Sequence, residues 1–239
     1  MIINMEKIPV VIMCGGLGTR LESITKGELP KCMVVIKGVP FLHVLIDKIR
    51  SYGVKYFLLC LGFKGKIIQD YFEVVFKNTD VKIEYSYDND GMYKGAEKVR
   101  VSLLGTTNAL LKVKNKIIQK TLSHNGYNAF LVMNGDTYFG LDLDELVRGC
   151  AVSGHMDKFY GCSFSVFTEG LDQIDSGVYF LNVSIFNILE SNTKCLQDNF
   201  RKLLLRNMFC SWRASNEREN LLLDIGTLNG YRKTLEYFK

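Results

Sequence analysis

An apolar, β-branched run at residues 8–13 (IPVVIM) leads without interruption into Cys14-Gly15-Gly16-Leu17-Gly18-Thr19-Arg20-Leu21. A short run of this kind predicts a buried strand. Glycines directly after it let the backbone turn sharply and bring its N–H groups against anionic oxygens. Two cations follow: Arg20, a planar fork, and Lys31 behind Pro30, a mobile point charge. A strand that empties into a phosphate loop belongs to sheets that present their carboxyl ends to a ligand. Neither of the two best-known glycine loops fits. Leu21 stands where the third glycine of the dinucleotide fingerprint belongs, and no Gly-Lys-Ser/Thr completes a Walker loop. Three glycines alone suit an ordinary turn equally well; Thr19-Arg20-Leu21 and Pro30-Lys31 favour phosphate.

Downstream, strand-like and helical patterns alternate. Pro40 opens a predicted helix whose apolar positions Leu42, Leu45, Ile46 and Ile49 recur at helical spacing, with Gly53 as its stop. Strands are expected at 56–61, 81–87, 99–103 and 129–133, helices at 66–76 and 109–120, and a polar loop or lid at 88–98. The second half is less regular: strands at 159–167, 177–181 and 221–223, helices at 199–206 and 228–238. This order predicts an α/β architecture, a mostly parallel sheet covered on both faces by helices joined through right-handed crossovers.

With 239 residues, 47% of them hydrophobic, the chain suits a single domain spanning 1–239. A net charge of +5 from scattered lysines gives mild support for an anionic ligand and none for a nucleic-acid footprint. The densest cationic run, Lys112, Lys114, Lys116 and Lys120, reads as a solvated face. The seven cysteines (14, 32, 60, 150, 162, 195 and 210) show no C-x-x-C spacing, so neither a zinc site nor a disulfide framework is expected, and a reducing compartment is. No signal peptide or membrane span is apparent, which predicts a soluble cytoplasmic protein. His43, His124 and His155 attract no role, and Trp212 reads as packing or interface.

Three polar clusters follow apolar strands: the glycine loop, Asn134-Gly135-Asp136-Thr137 and Asp224-Ile225-Gly226-Thr227. Two aspartates facing a triphosphate cradle are what Mg²⁺ needs, because it prefers one or two carboxylates with phosphate oxygens and water. Turn or helix capping is the competing account of each aspartate. The glycine loop favours the metal.

These elements together resemble the sugar-1-phosphate nucleotidyltransferases, or sugar-nucleotide pyrophosphorylases. The resemblance rests on residues 15–21, Pro30-Lys31, Gly38-x-Pro40, Asn134-Gly135-Asp136, Asp175-Ser176-Gly177-Val178-Tyr179 and Asp224-Ile225-Gly226-Thr227, in family order over nearly the whole chain. It implies the nucleotide-diphospho-sugar transferase fold, a Rossmann-like three-layer sandwich with a nucleotide half (1–140) and a sugar-phosphate half (141–239). It also implies an enzyme that makes an NDP-sugar and pyrophosphate from an NTP and a sugar 1-phosphate, with Mg²⁺ as cofactor, in nucleotide-sugar and polysaccharide biosynthesis. Residues 61–65, 71–72, 78–81 and 99–103 are similar to glucose-1-phosphate cytidylyltransferases and incline the expectation toward CTP. Pro40-Phe41-Leu42 and residues 224–227 are similar to mannose- or heptose-1-phosphate guanylyltransferases and GTP. A cytidylyltransferase for a non-sugar phosphate, or a nucleotide-binding regulatory subunit, are the alternatives; assembly into a homo-oligomer stays open.

Residue by residue, the resemblance implies that Cys14, Gly15, Gly16, Gly18, Thr19, Thr107 and Asn108 surround the nucleotide. Arg20 would hold the β- and γ-phosphates and Lys31 the α-phosphate region. Asp136 and Asp224 would carry the metal. Gly161, Glu169, Ser176 and Gly177 would contact the sugar phosphate. The chain departs from the pattern twice. Thr107-Asn108-Ala109 stands where Thr-Gly-Gly is expected. The segment between Asp136 and Asp175 is short and lacks the usual Glu-Lys pair, with Phe167-Thr168-Glu169-Gly170 nearby instead. Lys158, Arg201 and Arg213 are substitutes whose default is a solvated surface charge.

Overall fold

The structure, a computed structural model, describes residues 4–88, 103–122, 128–152, 160–167, 173–213 and 221–239. Its frame is a seven-stranded sheet in the order β10-β8-β9-β6-β1-β4-β5. The strands are β1 (Val10–Cys14), β4 (Tyr56–Leu61), β5 (Lys82–Tyr87), β6 (Ala129–Asn134), β8 (Gly161–Phe167), β9 (Gln173–Asn182) and β10 (Cys210–Arg213). Neighbours pair in parallel except at β9, which is antiparallel to both β6 and β8. Two short ladders flank the sheet: β2 (Val35–Ile36) with β3 (Val39–Pro40), and β7 (Thr137–Phe139) with β11 (Leu222–Asp224).

Strands β1 and β4, and β6 up to Met133, are apolar throughout because both faces are covered. Val10, Ile12, Phe57, Leu59, Leu131 and Met133 belong to one core, while Val11, Met13, Leu58, Cys60, Phe130 and Val132 belong to the other. That period-2 division follows from strand geometry. Helices α2 (Phe41–Arg50), α3 (Gly65–Val75) and α6 (Leu143–Val152) supply the first core; α4 (Gly105–Lys112), α5 (Lys114–Leu122) and α7 (Leu196–Leu205) supply the second. Helix α2 places Phe41, Leu42, Leu45, Ile46 and Ile49 against the sheet at 0% exposure. Each such side chain contributes about 1.5–3 kcal/mol relative to exposure. A four-residue helix α1 (Glu22–Thr25) follows the glycine loop, and α8 (Leu228–Tyr237) ends the chain.

Several sequence expectations need correction. Pro40 is the cap before α2 rather than its first residue, since its ψ of 142° is extended and it pairs with Val35. The helix expected at 109–120 is two, α4 and α5, broken at Val113. The turn there keeps Leu110, Val113 and Ile117 all buried in one core. Helix α4 also starts earlier than expected, because Gly105 at φ +76° brings the chain against the Lys194 carbonyl. The lysine run is not merely solvated: Lys112 Nζ donates to the Tyr87 carbonyl at 2.7 Å, Lys116 pairs with Glu84 at 3.1 Å, and Lys120 lies 4.2 Å from the centre of the Tyr56 ring. Cys162 and Cys210 are joined in a disulfide, where the sequence reading expects no disulfide framework. Parallel register sets them opposite each other on β8 and β10, Cα atoms 4.6 Å apart, a juxtaposition that a separation of 48 residues hides. Strands β2, β3, β7 and β10 and helix α6 went unforeseen. Apart from Asp88 and Leu103, the expected loop at 88–98 and strand at 99–103 lie outside the described residues, as do His124, His155, Lys158 and Glu169. Among the described residues no helix is long and apolar enough to cross a membrane.

Candidate active site

A cavity of about 530 Å³ opens at the carboxyl ends of β1, β4, β5 and β6, where ligands sit in open α/β sheets. Its floor is the glycine loop. Gly18 adopts φ +69°, a left-handed conformation suited to glycine, and starts the turn Thr19–Leu21. Gly62, at the end of β4, fits directly beneath: a Cβ there would lie 2.3 Å from the Gly15 carbonyl oxygen. The Lys31 stem runs over the loop. A Cβ on Gly18 would meet Lys31 Cβ at 3.0 Å, and one on Gly16 would meet its Cε at 3.3 Å and Nζ at 3.4 Å. The loop is glycine-rich as much to admit this lysine as to expose amides.

The carboxylates arrive by a different device. Asp136 sits in the turn between β6 and β7, and β7 pairs with β11 in a register that sets Asp224 opposite Thr137. The Ile225 N–H donates to the Asp136 carbonyl at 2.9 Å, which fastens the two segments side by side. Gly226 lies between the charges: an added Cβ would be 2.8 Å from Asp224 Oδ1, 3.4 Å from Asp136 Oδ2 and 3.3 Å from an Arg20 Nη. Both carboxylates and the guanidinium thus surround one small volume. Lys31 Nζ donates to Asp136 Oδ2 in an ion pair. Sequence positions 20, 31, 136 and 224 therefore meet in one cavity. Among the described residues no three His, Cys, Asp or Glu side chains cluster to hold a metal unaided. Two carboxylates open to phosphate oxygens are nonetheless the donor set that suits Mg²⁺.

Other expected site residues are placed differently. Cys14 is buried beside Gly135, and its thiol is held protonated by a hydrogen bond with Cys32 and by burial. Thr19 is exposed and outside the cavity lining. Thr107 is fully buried and accepts from Asn199 Nδ2 at 3.2 Å, while Asn108 Nδ2 donates to the Leu104 and Ser191 carbonyls. Neither lines the cavity; Gly105, Thr106 and Ala109 of the same helix do. Helical rotation explains the exchange, since 106 and 109 share a face that 107 and 108 do not. Gly161 also lies away, wedged against β9, where a Cβ would meet the Phe180 carbonyl at 2.8 Å. Ser176 lines the cavity and donates to the Phe164 carbonyl at 2.6 Å; Gly177, at φ +72°, backs onto the Asn134 side chain.

Asp88, Asp175 and Gln197, to which the sequence reading assigns no site role, also line the cavity. Asp88, at the end of β5, is buried and 8% exposed, and loss of hydration pushes its pKa up to about 6. Its place at a strand's carboxyl end was the available signal. Asp175, at the start of the glycine turn in β9, accepts from the Gly177 N–H at 2.9 Å and the Tyr179 hydroxyl at 2.8 Å. Loss of hydration raises its pKa, against which those two hydrogen bonds and the charge of Arg201 act. Gln197, from α7, carried no signal. Tyr179→Phe would remove one of the two donors that hold the Asp175 carboxylate.

The sequence model of the family described as nucleotidyl transferase matches residues 9–160. The chain is 33% identical to the D-glycero-alpha-D-manno-heptose 1-phosphate guanylyltransferase of Campylobacter jejuni, over 82% of this chain and 88% of that one. It is 28% identical to a probable glucose-1-phosphate cytidylyltransferase of Bacillus subtilis, over 89% and 92% respectively. A crystal structure of HddC from Yersinia pseudotuberculosis complexed with GMP-PN superposes with a TM-score of 0.69 at 24% identity, covering 97% of this chain and 100% of that chain.

Proposed function

The chain belongs to the nucleotidyl transferase family, among the enzymes that act on sugar 1-phosphates, and on that footing we propose that it transfers GMP from GTP, with Mg²⁺, to a sugar 1-phosphate. The observation that carries the reading is the meeting of Asp136, Asp224 and Arg20 around Gly226, with Lys31 on the glycine loop.

In this reaction an oxygen of the sugar phosphate attacks the α-phosphorus, the bond to the β-phosphate oxygen breaks, and pyrophosphate leaves. Such transfer needs positioning and charge neutralisation more than a protein nucleophile. Loop amides of Gly15 and Gly16 hold phosphate oxygens. Arg20 takes the departing β,γ-phosphates with a two-pronged grip, and Lys31 neutralises charge gathering at the α-phosphate. Asp136 and Asp224 would hold the Mg²⁺, which when bound would supply Lewis-acid charge neutralisation. Asp175 and Gln197 face the acceptor end.

Base choice rests on Asp88. It follows β5, and Asp136 follows β6, three strand intervals away, or about 14 Å across the sheet. That spacing seats the base near Asp88 when the α-phosphate is near Asp136. A carboxylate there accepts paired N–H donors such as guanine N1 and N2; uracil and thymine offer one N–H between two carbonyls. Cytosine offers a single amino group. CTP is the second reading, favoured by the cytidylyltransferase-like segments 61–65 and 78–81.

The test is pyrophosphate release with each NTP against a panel of phosphorylated acceptors. Metal- and acceptor-dependent release with GTP supports the reading; nucleotide binding with no turnover on any acceptor leaves a regulatory subunit, and turnover on a non-sugar phosphate redirects the acceptor assignment. Two results are expected at Asp88. As pH falls below about 6 the carboxyl takes up a proton and stops accepting, so KM for GTP rises while kcat changes less. Asp88→Asn removes that dependence and raises KM at pH 7.5 by about tenfold, the loss of one charged hydrogen-bonding partner. The same substitution should stabilise the fold. A carboxyl with a raised folded pKa loses stability as pH rises from the unfolded value toward 6, and Asn carries no such cost.

A further inference from the structure

Resting on the reading of Asp136 and Asp224 as carboxylates of a divalent-cation site, we infer that Lys31 is a charge lock that excludes the cation until a triphosphate draws its ammonium away. Lys31 Nζ is ion-paired to Asp136 Oδ2, with the two side chains only 21% and 12% exposed. That oxygen is the one facing Asp224 Oδ1 across Gly226. A divalent cation shared by the two aspartates must therefore take an oxygen the ammonium already holds, against the repulsion of that ammonium.

The lysine has a second partner within reach. Its Cε and Nζ lie against Gly16, and its Cβ against Gly18, so the ammonium stands between the aspartate and the loop whose amides receive phosphate. Several phosphate charges arriving on that loop outbid a single carboxylate, and a small swing of a flexible side chain transfers Nζ to them. Asp136 Oδ2 is then exposed beside Asp224 as new phosphate oxygens appear. Nucleotide and cation thus bind with positive coupling, and the coupling is reciprocal. Its consequence is that the empty enzyme does not load metal.

Mn²⁺ alone serves as the probe, with free Mn²⁺ read by electron paramagnetic resonance. Without nucleotide, Lys31→Met and Lys31→Gln are each expected to bind Mn²⁺ about tenfold or more tightly than the wild type, within the usual range of coupling between sites. Adding Asp136→Asn to either should abolish the gain. The lock is overturned if both Lys31 variants hold Mn²⁺ no more tightly than wild type while Asp136→Asn with Asp224→Asn still weakens Mn²⁺ binding in the presence of GTP. If that double substitution has no effect with or without GTP, the cation site itself is wrong, and the lock falls with it.

Discussion

Asp136→Asn is expected to lower turnover by about 10³-fold, because a divalent cation contributes several kcal/mol of transition-state charge stabilisation and each 1.36 kcal/mol is tenfold. The substitution keeps the side chain's shape and removes its charge. It deprives Asp224 of its neighbour and Lys31 of its counter-charge at once. The fold should persist, since Ile225 is tied to the backbone carbonyl of residue 136 and not to its side chain. Pyrophosphate release at saturating nucleotide, with a thermal melt of the same sample, separates the two effects. Turnover within tenfold of wild type would remove Asp136 from the chemistry.

Gly62→Ala should damage both the fold and the glycine loop. Its methyl group would sit 2.3 Å from the Gly15 carbonyl oxygen and 2.6 Å from the Gly15 Cα, both backbone atoms at the end of a buried strand. Neither can rotate aside, so β4 and the glycine loop must part. Overpacking of this kind costs about 1–3 kcal/mol, occasionally more, which lowers Tm by roughly 2–4 °C per kcal/mol in a chain of this size. Gly53→Ala is the control. It has open space around it but φ at +91°, so it reports backbone strain without overlap. Equal losses in the two variants would show that conformation, and not close approach, sets the need for glycine. Gly62→Ala should also raise KM for the nucleotide, which Gly53→Ala should not.

Much of the first half of the chain is readable from sequence because its signals are local. The strand expected at 56–61 matches β4 to the residue, as six consecutive apolar side chains demand cover on both sides. The loop at 15–18 and the cations at 20 and 31 come from contiguous segments and were found together. What the sequence concealed depends on pairing at long range. β7 and β11 are three residues each, too short for any periodicity, yet their register alone brings 224 beside 136. The sequence named both aspartates; it could not show what joins them. Thr107 and Asn108 lie off the cavity lining because the start of α4 is set by contact of Gly105 with the Lys194 carbonyl, which fixes the helix rotation. Asp88 was absorbed into a loop because nothing local distinguishes the last residue of a strand from the first beyond it.

The single reversed strand, β9, separates the two ends of the cavity by ancestry in the sheet. Gly15, Asp88 and Asp136 follow the trailing ends of strands that run one way, whereas Asp175 and Ser176 enter near the leading end of a strand running back. Between them lies one antiparallel seam, Ala129–Met133 against residues 178–182. On the proposed reading, a lineage could therefore alter the acceptor by editing β9 and α7 without disturbing the glycine loop. Modularity of this sort, written into strand polarity, makes β9 and α7 the natural place to redesign that wall of the cavity.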